Sequence, residues 1–164
     1  LLFELIENFS KKNKFNIPRI ISHFGFGLLV ISISLNNIFS INIDTNLKVG
    51  ETYSFEKYEL KFNSVSGKIE KNFHSLVGSF SIKKPGKNIF FLSPEIRIYN
   101  DSNIKTIEAD IKNNLFYDSL ITMNKINEGE FFNVRFQQKS MMIWIWISTL
   151  FISLGGIISA FRKK

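Results

Sequence analysis

Two membrane-crossing helices flanking a small antiparallel β-barrel or sandwich on the exported side are the architecture this sequence predicts. Three observations predict it. Residues 20–43 carry no Lys, Arg, Asp or Glu, and residues 140–161 carry no charge at all. Each stretch has about 20 residues or slightly more, enough to match the hydrocarbon thickness of a bilayer. Between them the hydrophobic period switches to two, the pattern of half-buried strands. Finally, Lys11, Lys12, Lys14 and Arg19 precede the first apolar stretch, and Arg162, Lys163 and Lys164 follow the second. By the positive-inside rule both ends are cytoplasmic and the middle is exported.

Residues 1–16 read as a cytoplasmic or interfacial segment. The chain opens on Leu1-Leu2-Phe3 rather than Met, and its first apolar stretch has no small-residue cleavage site. The stretch is also too long for the core of a signal peptide. The expectation is the C-terminal part of a larger membrane protein; a short amphipathic segment lying on the cytoplasmic face is the other reading. Residues 17–41 form the first span. Ile17-Pro18 opens it, and Pro in a first helical turn is harmless because its missing N–H has no partner there. Asn36 and Asn37 fall near the exported end, within reach of water.

Residues 42–139 form the exported domain. Tyr58, Leu60 and Phe62 alternate with Glu59, Lys61 and Asn63, and Phe132, Val134 and Phe136 with Asn133, Arg135 and Gln137. Similar runs lie near 77–83, 88–93, 95–99, 104–111 and 115–121. Turn signals separate them: Val49-Gly50, Ser66-Gly67, Pro85-Gly86, Ser93-Pro94, Asn100-Asp101, Asn113-Asn114 and Glu128-Gly129. Short strands at this spacing predict a sandwich or barrel. Loop 44–139 has nearly balanced charge, and long loops are translocated largely regardless of charge. Residues 140–161 form the second span, with Trp144 and Trp146 at its exported end, where aromatic belts belong. Gly155 and Gly156, with Ser159 and Ala160 four residues on, offer a small-residue packing face. Residues 162–164 are a cytoplasmic tail.

Composition narrows the chemistry. Net charge is +7 and the isoelectric point about 9.6, yet the bases are nearly all Lys and lie where topology signals lie. Nucleic acid is therefore not an expected partner; membrane lipid is. The absence of Cys excludes disulfides, Cys-ligated zinc, iron–sulfur clusters and thiol redox chemistry within these 164 residues. There is no phosphate-binding glycine loop and no nucleophile elbow. Glu108 and Asp110, two apart on a strand, share one sheet face with no base nearby.

One residue stands out. His74 sits in polar surroundings and reads as a surface histidine. His23 lies inside the first span, four residues after Arg19, and an ionisable group at membrane depth is a functional candidate by default. A neutral imidazole can bind metal or haem iron through one nitrogen while the other donates a hydrogen bond. Gly25 and Gly27 would leave clearance for a flat ring, with Phe24 and Phe26 at its edge. Interhelical hydrogen bonding by His23, with the glycines serving helix packing, is the alternative reading.

The ordered motifs carry a resemblance. His23-Phe24-Gly25 is similar to a His-Leu-Gly, Asn72-Phe73 to an Asn-Tyr, and Pro94-Glu95-Ile96-Arg97-Ile98-Tyr99 to a Pro-Glu-Lys-Arg-x-Tyr. Ile107-Glu108-Ala109 is similar to a Thr-Glu-Ala, and Asp118 stands at the start of an Asp-Leu-Tyr. Trp144-Ile145-Trp146 and Leu154-Gly155-Gly156 match directly. Together, from Ser22 to Ala160, they resemble the C-terminal region of the cytochrome c-type biogenesis family CcmF. Ser140 stands where that pattern has Pro, Ile143 where it has Arg, and Leu120 where it has the Tyr of Asp-Leu-Tyr.

The resemblance implies a share in a haem lyase that joins haem vinyl groups to the cysteines of an apocytochrome c. The thiols then belong to the substrate. It implies His23 as an axial ligand of a b-type haem, completed by residues of an upstream part, with this chain insufficient alone. It implies apocytochrome c, the periplasmic haem chaperone CcmE and a CcmH-type thiol- and apocytochrome-handling subunit as partners. The implied location is the bacterial inner membrane, multi-pass, with loop 44–139 periplasmic; a mitochondrial inner membrane is the other setting. Arg97, Glu108, Trp144 and Trp146 are expected to be structural or docking residues, and no catalytic residue is expected. A non-catalytic scaffold whose exported domain binds partner proteins, or a membrane-anchored sensor domain, would share the same outline.

Overall fold

The computed structural model describes residues 16–86, 88–102, 104–126 and 130–161. The segment expected at 1–16, except its last residue, the tail 162–164 and the turn expected at Glu128-Gly129 lie outside the described residues. The chain divides into two compact units, one helical and one made of strands.

The helical unit pairs α1 (Ile17–Phe39) with α2 (Met142–Phe161). At 23 and 20 residues and ~1.5 Å per residue, both are long enough, and both apolar enough, to cross a membrane. They run antiparallel: Ser22 Oγ donates to the Ile152 carbonyl at 3.5 Å, and at the other end the Asn36 side chain donates to the Ser140 carbonyl. Pro18, Gly25 and Ser32 are buried on α1, Ser148 and Gly155 on α2. These positions are seven apart, so each helix presents one seam of small residues to its partner, as in a left-handed pair. A Cβ added at Gly25 would lie 2.9 Å from the Ile152 nitrogen and the Ser148 carbonyl oxygen; one added at Gly155 would lie 2.7 Å from the Pro18 carbonyl oxygen. Backbone meets backbone here, and no side chain fits. Of the packing face expected from Gly155, Gly156, Ser159 and Ala160, α1 covers only Gly155. Gly155 alone of the four is buried, because the partner helix follows a seven-residue period and not steps of four.

The helices end in hydrogen bonds. The Ser40 N–H donates to the Asn36 carbonyl at 3.0 Å, the Ser140 N–H to Ser40 Oγ at 3.2 Å, and Ser140 Oγ to the Phe39 carbonyl at 3.1 Å. The late carbonyls of a helix lack intrahelical partners, and these serines serve some of them. Met141 then takes φ +59° at the entry to α2, and its N–H donates to the Phe116 carbonyl at 2.8 Å. The first span was expected to reach residue 41, but Ile41 already pairs with Gln138 in a strand.

The second unit is a β-sandwich; of the two expected forms, the barrel is not the one found. One sheet orders β1 (Ile41–Leu47), β10 (Phe132–Ser140), β9 (Tyr117–Lys125) and β8 (Asp110–Asn113) side by side. The other orders β2 (Thr52–Phe55), β3 (Tyr58–Ile69), β4 (Phe73–Lys83), β6 (Glu95–Tyr99) and β7 (Lys105–Glu108), with β5 (Phe90–Leu92) also paired to β4. The expected single run at 104–111 is two strands, one in each sheet, with the chain crossing at Ala109. Ser66-Gly67 is not a turn: both lie within β3, opposite Val77 and Leu76. The hairpin closes instead after Ile69, where the Glu70 N–H donates to the Phe73 carbonyl at 2.9 Å.

The core is the alternating set. Tyr58, Leu60 and Phe62 from β3, and Phe80 and Ile82 from β4, face Ile43, Ile121, Met123, Val134 and Phe136 of the other sheet. Phe62 and Phe80, directly paired across the strands, stack at 4.3 Å, and Phe132 meets Phe62 edge-on at 5.4 Å. The register shifts between Phe62 and Ser64. An extra residue in one strand resets which side chains point inward, so Val65 turns to the core and Ser64 and Ser66 do not.

Two outcomes follow. Phe62→Ala should lower unfolding free energy by about 3–5 kcal/mol, read as a reduced urea midpoint of the chain in detergent, with Phe62→Leu much milder. Cysteines placed at Ser22 and Ile152 should be bridged by a short bismaleimide, and Gly25→Leu should abolish the bridging by forcing the helices apart. Undiminished cross-linking in that variant would show that the contact does not hold the pair together.

Candidate functional site

His23 lies nearly two turns into α1 and is exposed. Its Nδ1 is 2.8 Å from the carbonyl oxygen of Arg19, four residues earlier. A carbonyl can only accept, so Nδ1 carries the proton and Nε2 of the neutral ring keeps its lone pair. This is the arrangement by which a backbone carbonyl fixes the tautomer of a metal-binding histidine. The ring is aimed by the helix itself and needs no side chain to hold it.

The helix also sorts the neighbours. Two residues along an α-helix is a turn of about 200°, so Gly25 points away from His23, and its side is filled by α2. The ring clearance expected of Gly25 is therefore corrected: it is a helix-contact glycine. Gly27, four residues from His23, shares the histidine's side and is half-buried. Phe24 does not stand free, since its ring meets Phe151 edge-on at 5.6 Å. Phe26, 63% exposed, does. Arg19 was read from sequence as a topology flank only. It is exposed, one turn before His23 on the same side, and its carbonyl holds the imidazole. The i, i+4 spacing was the signal available for it.

No group of three or more His, Asp or Glu suited to a metal exists among the described residues. His74 is exposed on β4, opposite Ile69 and Ile98. A single neutral imidazole such as that of His23 is the kind of donor that fits a haem axial position, which needs one imidazole per face.

In the sandwich, sheet register builds a second polar group. Glu95 pairs with Glu108, and Arg97 with both Ser75 and Thr106. Directly opposed residues share a face. Arg97 Nε donates to Glu95 at 2.9 Å, its guanidinium stands 4.8 Å from the Phe73 ring centre, and Thr106 Oγ1 donates to Glu108 at 3.0 Å. The hydrogen bond to Glu95 is the main reason that Arg97 is held above its ordinary pKa, with the Glu95 charge adding to it. The two carboxylates that would repel are thus tied to a cation and a hydroxyl. Phe73, absent from the expected cluster, is its floor. At 31% and 22% side-chain exposure the Arg97–Glu95 pair is already satisfied within the sheet.

Trp144 stacks against Phe116 at 6.3 Å and 25°, and its Nε1 is buried without a partner among the described residues. Trp146 is 66% exposed. Phe116, 28 positions away in sequence, left no local signal for this contact.

Residues 38–140 match the family model described as the CcmF C-terminal beta-sandwich. Among curated proteins, the chain is 29% identical over 144 residues to the cytochrome c-type biogenesis protein CcmF of Haemophilus influenzae, covering 88% of this chain and 22% of that protein. It is 27% identical over 144 residues to CcmF of Pseudomonas aeruginosa, with the same coverage of 88% and 22%. It is 25% identical over 167 residues to the biogenesis protein NrfE of Haemophilus influenzae, covering 100% of this chain and 26% of NrfE. A solved structure titled Cytochrome c Heme Lyase CcmF superposes with a TM-score of 0.70 at 15% identity, over 96% of this chain and 27% of that one. That likeness establishes the fold. The chain spans between a fifth and about a quarter of the length of these proteins. With the family model covering both the crossing at Ala109 and the strands around the core, the chain belongs to the CcmF C-terminal β-sandwich family.

Proposed function

We propose that this chain is the C-terminal part of a membrane haem lyase component that binds b-type haem and serves covalent haem attachment to apocytochrome c. The observation that carries the reading is His23: an exposed imidazole on a membrane-length apolar helix, with Nδ1 tied at 2.8 Å to the Arg19 carbonyl and Nε2 free. When bound, haem b supplies one-electron chemistry whose potential follows the axial ligand and its hydrogen bonds. The chain's own part is to present the lone pair in a fixed direction and to keep the Nδ1 proton in place. Phe26 and Val30, exposed along the same side of α1, would offer apolar surface to the ring of a bound haem. Gly27 leaves room there. The second axial ligand, and the groups that handle the delivered haem, come from the rest of the assembly.

The chain lies in this reading in the bacterial inner membrane, α1 and α2 spanning it, with cytoplasmic ends and loop 44–139 in the periplasm. The sandwich, with Arg97 and Glu108 holding two strands and Trp144 and Trp146 at the start of α2, supplies wall and docking surface. Apocytochrome c, the haem chaperone and the thiol-handling subunit are the partners it would meet. The family membership and the names of the relatives support this, as does the absence of thiols in the chain, since the thioether sulfurs belong to the cytochrome.

His23→Ala, in the complete assembly in its membrane, should lose the b-haem Soret band and cytochrome c maturation together, and added imidazole should partly restore both. A normal spectrum with normal maturation would reduce His23 to a hydrogen-bonding residue. For the orientation, Gly86 is exposed in a turn at φ +71° and tolerates an insertion. An alkaline phosphatase fusion there should be active, because that enzyme matures only outside the cytoplasm; an inactive phosphatase with an active cytoplasmic reporter at the same site would reverse the topology.

A further inference from the structure

α1 carries, on one exposed side and one turn apart, an imidazole with a free Nε2 and an arginine whose guanidinium has no partner among the described residues. Four residues of helix separate them by about 6 Å along the axis and about 40° around it. The same end of the helix has no acidic residue in its first turn and no side-chain cap on its first N–H groups. A helix N-terminus is already electropositive and ordinarily attracts acids, so a cation in that turn adds to a positive field that no acidic side chain of the turn offsets. At the edge of a mostly apolar stretch, such a charge is available to pair with an anion. Arg97, by contrast, spends its charge on Glu95.

We infer that Arg19 binds a propionate carboxylate of the haem that His23 ligates, so that α1 holds the cofactor at two points, iron and ring edge. The inference rests on the haem reading of His23 and deepens it. Iron protoporphyrin carries two propionates on one edge of the ring. With His23 on the iron, turning that edge toward the N-terminal end of α1 brings a carboxylate to the only cation within a turn of the ligand on the described part of the helix. The opposite orientation would carry two anions past Phe26 and Val30 toward the membrane interior, where an unpaired charge is costly. Arg19 thereby sets the rotation of the macrocycle about the iron–Nε2 bond, which one axial ligand leaves undetermined. Its backbone fixes the imidazole and its side chain the porphyrin.

The test uses the complete assembly containing this chain, purified in detergent, stripped of haem and reconstituted with iron protoporphyrin IX or its dimethyl ester, whose carboxylates are neutral. A charge-assisted hydrogen bond is strong enough that the parent should retain the free acid on the order of tenfold better than the diester. Arg19→Gln should lose that preference by weakening the acid and leaving the diester unchanged, and Arg19→Lys should keep part of it. The Arg19→Gln haem should also have a lower reduction potential, since an unpaired propionate charge favours ferric iron. The phosphatase fusion at Gly86 controls for altered topology and should stay active in all variants. Equal retention of acid and diester by the parent, or an undiminished preference in Arg19→Gln, overturns the inference while leaving the ligand role of His23 standing. If His23→Ala retains both haems like the parent, the ligand reading itself falls and this one with it.

Discussion

The approach of two backbones at Gly25 and Gly155 is the constraint on which the helical unit depends. Two apolar helices of membrane length would gain no hydrophobic energy by joining if lipid surrounded them, so close packing and interhelical polar contacts are what hold such a pair. Small residues at seven-residue intervals allow that closeness on one side of each helix. Fixing that side fixes the rest. With Gly25 turned to α2, His23 must face away, and with His23 facing away, Arg19, Phe26 and Gly27 flank it. Residues that never touch the candidate site therefore decide what it looks out upon.

The sandwich obeys a different logic. Its core is built by alternation, and a single inserted residue near Asn63 keeps β3 in phase with it. Gly78 shows how tight the result is: a Cβ there would lie 2.5 Å from Met123 Sδ and 2.8 Å from the Phe80 ring. Interiors packed to this density respond to a single methyl group. The charged cluster of Arg97, Glu95, Glu108 and Thr106 follows from register alone, since antiparallel pairing sets opposite residues side by side on one face.

Much of this was legible in sequence because the signals were local. Uncharged runs marked the helices, and period-two stretches such as Tyr58–Phe62 and Phe132–Phe136 marked the core strands. Where the reading failed, the deciding contact was distant. Ser66-Gly67 has turn composition, but pairing with Val77 and Leu76 extends the strand through it. Residues 104–111 look like one strand, yet Ala109 divides them between sheets. Gly155-Gly156 suggested a four-residue packing face because sequence does not tell which glycine the partner helix will cover. The candidate site was half-legible: a histidine inside a long apolar stretch is conspicuous, and so was the possibility that glycines beside it serve packing. The Arg19 carbonyl that sets its tautomer is a backbone group, and composition does not register backbone groups.

The serine clamp at the ends of the helices has an evolutionary consequence. The resembled family pattern carries proline at position 140, and proline has neither the N–H that here meets Ser40 Oγ nor the hydroxyl that meets the Phe39 carbonyl. Ser40 and Ser140 are therefore coupled: replacing Ser140 by proline would remove both the N–H that Ser40 Oγ accepts from and the hydroxyl that serves the Phe39 carbonyl, so the two positions are expected to change together.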